Sequence, residues 1–95
     1  MFIVHLTFSD AKARAPEFLQ AHRDWLKSGF DDGVFLLSGN LMPNLGGGIV
    51  AHGISRADLE ARIDLDPFVA ENVVKAEIVE IAPSLADPRL DFLVA

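Results

Sequence analysis

The chain predicts an α+β fold, a four-stranded antiparallel sheet built in the order β-α-β-β-α-β with both helices on one face, the ferredoxin-like arrangement. Three observations predict it. Strand-length apolar runs stand at 2–8, 34–41, 49–54 and 73–81. Two intervening segments, 16–32 and 55–65, place their apolar residues at three- and four-residue spacing. The 95 residues, 51% hydrophobic, suffice for one core and are too few for two, so a single domain over 1–95 is expected.

Phe2, Val4, Leu6 and Phe8 alternate with Ile3, His5 and Thr7, the two-residue period of a strand. Ser9 to Ala15 reads as a polar loop. Pro16 suits a first helical turn, where a missing N–H costs nothing, and Glu17 complements the positive end of the helix dipole. Phe18, Leu19, His22, Trp25, Leu26, Gly29 and Phe30 share one helical face, and Gly33 is placed to end a helix that runs to about Asp32. Val34 to Leu41 and Ile49 to Ile54 are rich in branched and apolar residues, and the segment from Met42 to Gly48 between them predicts a long hairpin. Ser55 followed by Asp58 resembles a capping box, opening a short helix with Leu59 and Ile63 inward and an end near Leu65. Asp66 then caps a new turn with Pro67 at its first position. Val73 to Ile81 is the last main strand, and Leu90 to Val94 suggests a short extra one.

A sheet covered on one side only shows polar residues on its open side. Here Phe2 and Val4 oppose Ile3, and Val34 and Leu36 oppose Phe35 and Leu37, so both faces are apolar. Size scaling lets such a chain hide only roughly 64% of its unfolded surface, and its mean hydropathy is +0.29. The expectation is a homodimer whose open faces meet about a two-fold axis around a shared barrel-like interior.

Composition removes several functions. Eight Lys plus Arg against fourteen Asp plus Glu leave a net charge of −6, which repels nucleic acid and anionic membrane surfaces. Without cysteine there is no thiolate nucleophile, disulfide or metallochaperone motif. No apolar run approaches the ~18 residues of a membrane span, and the first strand lacks the basic flank of a signal peptide, so a cytoplasmic protein is expected. His5, His22 and His52 lack the close spacing of a zinc site, and no metal or cofactor is expected. Gly46-Gly47-Gly48 enters a strand, whereas phosphate loops open a helix, so it reads as a hairpin connection.

The start Met1-Phe2-Ile3-Val4, the motif Ala21-His22-Arg23, the run Gly33-Val34-Phe35-Leu36 leading to Ser38-Gly39, the pair Gly47-Gly48, Ser55 at the second helix and the triplet Asp66-Pro67-Phe68 together resemble the YciI-like proteins. That family is related in fold to muconolactone isomerase and other dimeric α+β barrels. Asn40 stands where the family commonly has proline. The resemblance implies a catalytic pair, His22 and Asp66, with Ser38, Gly39 and Phe68 binding a small-molecule ligand. It further implies a lyase or isomerase with a histidine general base, acting on a small, partly apolar cyclic molecule. The residues themselves make His22 unusual, because it lies within the apolar stripe of its helix, where an imidazole needs a partner. Two readings of that partner stay open: a carboxylate that orients a general base, or a core histidine bonded for stability with Asp66 merely capping its turn. Ser38 is equally a pocket hydroxyl or a plain strand residue. A non-catalytic small-molecule-binding or oligomerisation module is the alternative function.

Overall fold

The computed structural model describes residues 1–94. Strands β1 (Phe2–Phe8), β2 (Phe35–Leu41), β3 (Gly46–Ala51) and β4 (Val74–Glu80) form one sheet in the order β2-β3-β1-β4, and every pairing is antiparallel. Helix α1 (Ala15–Asp31) connects β1 to β2, and helices α2 (Arg56–Asp64) and α3 (Pro67–Ala70) connect β3 to β4. This is the predicted β-α-β-β-α-β order. Among the described residues, no helix is long and apolar enough to cross a membrane.

Register assigns the two sheet faces. Phe2, Ala51 and Phe35 lie in one row, and Val4 and Ile49 in another, all buried under the helices with Leu59, Ile63 and Phe68. The opposite face carries Leu37, Val50, Ile3 and Val79 in a single row across all four strands. Leu37 is 56% exposed and Val79 39%, so this row is an open apolar band, whereas the next rows of that face pair His5 with Glu77 and Thr7 with Lys75 and are not apolar as expected. The accessible surface, 5929 Å², exceeds the roughly 5,400 Å² expected for a monomer of this mass.

Local sequence explains the helix starts. Ser55 caps α2 by accepting from Asp58 N at 3.1 Å, and Leu59 and Ile63 are buried as predicted. Asp66 caps α3 by accepting from Phe68 N at 3.0 Å. In α1 the residue with the deepest burial is Gly29, and it lies where a Cβ would enter the Phe35 ring. Trp25 donates from Nε1 to Arg62 O at 3.0 Å, joining α1 to the end of α2.

Five expectations need correction. Gly46, Gly47 and Gly48 belong to β3, and the connection shortens to Met42–Leu45, because ladder bonds reach Leu41↔Gly46. A bulge between Phe35 and Leu37 breaks the simple alternation expected in β2. β3 ends at Ala51, since Gly53, with φ +67°, turns the chain toward Ser55. Leu90 to Val94 forms no strand: a 3₁₀ segment spans Pro88–Leu93, initiated by Asp87, which accepts from Arg89 N at 2.9 Å, and by the preset φ of Pro88. The loop before α1 contains a 3₁₀ turn at Lys12–Arg14.

Candidate functional site

His22 and Asp66 are 44 residues apart in sequence, and the packing of α3 against α1 brings them together. His22 Nδ1 lies 2.7 Å from Asp66 Oδ1. The histidine side chain keeps 13% of its exposure and the aspartate none. The same Oδ1 therefore accepts twice, from the imidazole and from Phe68 N, while Oδ2 is buried with no partner among the described residues. When Asp66 is a carboxylate it accepts from a nitrogen that carries hydrogen, so Nδ1 is then the donor, and in a neutral imidazole the lone pair falls on Nε2. Nε2 makes no hydrogen bond among the described residues.

The ring is held by packing as well. Phe68 stacks on His22 with centroids 4.1 Å apart and planes within 6°, and Trp25 lies at 5.8 Å with planes inclined by 27°. Three elements, α1, α3 and the Asp66 turn, thus fix both the plane and the tautomer of one imidazole.

His22 borders a cavity of about 380 Å³ between α1 and the β2-β3-β1 part of the sheet. Leu6, Phe8, Leu19, Leu26, Ile49 and Val74 supply its apolar wall. Register puts Ser38 in the row of Ile49 and Val4, and Asn40 in the row of Gly47 and Leu6, so both face the helix side and line the cavity. Gly39 lines it as well, as does Phe68. All five expected site residues are therefore gathered here: four on the cavity wall, and Asp66 directly behind His22.

Sequence reasoning missed Arg23, Asn40 and the three glycines of β3, which also line the cavity. Gly47 marks the floor, where a Cβ would have only Gly39 O within 4 Å, at 3.6 Å. Three glycines inside a strand were the available signal, since a strand without side chains leaves space above it. His5 and His52 do not join the site. His5 alternates with buried Val4 and Leu6 and so turns to the open face, and His52 packs edge-on against Phe92 at 5.3 Å.

The fold is a ferredoxin-like α+β arrangement, a four-stranded antiparallel sheet with a histidine-bearing cavity between the long helix and the sheet. No family model and no curated protein matches the sequence. Among solved structures, the chain is similar to the 5-chloro-2-hydroxyhydroquinone dehydrochlorinase of Burkholderia phenoliruptrix AC1100, in its complex with 2,5-dihydroxybenzoquinone. The TM-score is 0.69 over 85% of this chain and 93% of that one, at 11% identity, a likeness of fold.

Proposed function

We propose that this chain is a small homodimeric enzyme in which His22, oriented by Asp66, moves a proton during isomerisation or elimination on a small, partly apolar cyclic molecule. The observation that carries the reading is the 2.7 Å bond from His22 to a carboxylate without solvent access, at the wall of a cavity of about 380 Å³. Cavities of that size suit a single substituted ring. The neighbour in fold is named as a dehydrochlorinase of a chlorinated hydroquinone, which supports elimination of chloride as the reaction to seek first.

In an elimination from a ring with adjacent tetrahedral C–H and C–Cl carbons, as in the diketo tautomer of a chlorinated hydroquinone, Nε2 of His22 takes the proton, the C–H pair becomes the new double bond, and chloride leaves with the electrons of the C–Cl bond. In an isomerisation, the imidazolium returns the proton to a different carbon. In either case His22 becomes positively charged for part of the cycle, and the Asp66 carboxylate behind Nδ1 stabilises that charge. Phe68 keeps the imidazole plane fixed, and Ser38 and Asn40 supply hydrogen bonds to ring oxygens. The open band of Leu37, Val50, Ile3 and Val79 supports the homodimer, since a second copy would take it out of water.

The test is turnover. Chlorinated hydroquinones, quinones and small lactones are screened for chloride release or isomerisation, and His22→Asn is compared with the wild-type chain. Loss of an acid or base group lowers rate by ~10²- to 10⁴-fold, so a fall of that size with an unchanged circular dichroism spectrum is expected. A substrate turned over at the original rate by His22→Asn defeats the reading.

A further inference from the structure

We propose that the cavity selects a ring bearing an anionic oxygen, and that Arg23 is the residue that recognises it. The inference rests on the cavity being the site of the activity proposed above. The chain has fourteen acidic residues for eight Lys plus Arg. Four of its arginines lie on carboxylates: Arg14 on Glu17, Arg56 on Glu60, Arg62 on Asp32 and Arg89 on Asp87. The remaining one, Arg23, makes no ion pair and no side-chain hydrogen bond among the described residues, and it lines the cavity.

Helix geometry explains why no acid reaches it. The positions three and four residues away, where a helical ion pair would form, hold Leu19, Gln20, Leu26 and Lys27. Adjacent Asp24 accepts from Gln20 Nε2 at 3.0 Å. Among the described residues, the ionisable ones lining the cavity are His22 and Arg23, with no carboxylate side chain. Asp66, the carboxylate behind His22, has no solvent access and is engaged by the imidazole.

The cavity thus pairs apolar walls with Arg23, an arginine without an ion pair among the described residues, on the helix side and two neutral hydrogen-bonding side chains, Ser38 and Asn40, on the sheet side. That distribution suits a flat ring whose anionic oxygen meets Arg23 and whose other oxygens meet β2. The net charge of −6 does not oppose this at contact, because exposed charges farther away than about 8–10 Å are largely screened at physiological salt. A ring carboxylate and a ring-oxygen anion share this chemistry.

Calorimetric titration with three probes tests it. Benzoate carries a carboxylate, 2,5-dihydroxybenzoquinone supplies acidic ring hydroxyls, and benzamide is the uncharged counterpart of benzoate. Wild-type protein is expected to prefer at least one of the acids over benzamide by about tenfold, the worth of one charge-assisted hydrogen bond. Preference for benzoate identifies a carboxylate, and preference for the quinone a ring oxygen. Arg23→Gln should abolish the preference while leaving benzamide binding and the circular dichroism spectrum unchanged, and Arg23→Lys should restore part of it. Binding of none of the probes, equal binding of all three, or a preference that survives Arg23→Gln overturns the proposal. His22→Asn separates it from the proposed activity. An anion preference kept in that variant supports the role of Arg23, and turnover in the same variant judges the proton transfer independently.

Discussion

Substitution of Asp66 probes two bonds made by one oxygen, from Phe68 N at 3.0 Å and from His22 Nδ1 at 2.7 Å. Asp66→Ala removes both at a site without solvent access. Losing a helix cap costs about 1 kcal/mol, and losing a buried hydrogen bond to a charged group about 1.5–3 kcal/mol. Removal of Oδ2, which is buried without a partner, relieves part of this, so the net cost is about 2–3 kcal/mol. In a domain of this size, that lowers Tm by roughly 10–20 °C. Asp66→Asn keeps an oxygen for Phe68 N and loses only the charge that strengthens the bond to His22. Its cost is at most about 1 kcal/mol, or roughly 4–8 °C in Tm. Thermal unfolding at one protein concentration, so that any self-association weighs equally on each, measures both variants, and turnover or ligand binding is read alongside. Both should lose activity, because neither carries the charge that stabilises an imidazolium. Equal Tm values for Asn and Ala would refute the two-bond account. If ligand binding and turnover were also unchanged, Asp66 would be a structural cap only.

Gly29→Ala should destabilise the chain by about 1–3 kcal/mol despite the better helix propensity of alanine, because the new Cβ enters the Phe35 ring. A rise in Tm would show that the ring yields and propensity governs. Ile3→Glu, in the middle of the open row with Val50 and Val79, should convert a dimer to a monomer in sedimentation velocity. Wild-type protein that sediments as a monomer at low micromolar concentration overturns the homodimer.

Much of the fold was legible because its determinants are local. Alternation marked β1, and Ser55 and Asp66 announced the starts of α2 and α3 through oxygens that accept bonds two or three residues ahead. The β2-β3 ladder was harder to read, because glycines carry no side chain to alternate and pairing with Leu41 and Thr7, rather than any local preference, drew Gly46 into a strand. The Leu90 to Val94 expectation failed for the opposite reason: the apolar residues suggested a strand, but Asp87 and Pro88 start a helical turn.

The sequence by itself determined the order of the main elements, the alternation of β1 and the unusual place of His22 on an apolar stripe, since each follows from spacing along one segment. Only the tertiary structure decided what His22 meets, because its partner lies 44 residues away and reaches it through the packing of α3 on α1. It also decided that Gly29 must stay small beneath Phe35, that the space above Gly47 is open, and that Arg23 lines a cavity without an acid beside it among the described residues. Those outcomes depend on which surfaces of distant segments are pressed together, and long-range packing leaves no periodic trace in a single chain.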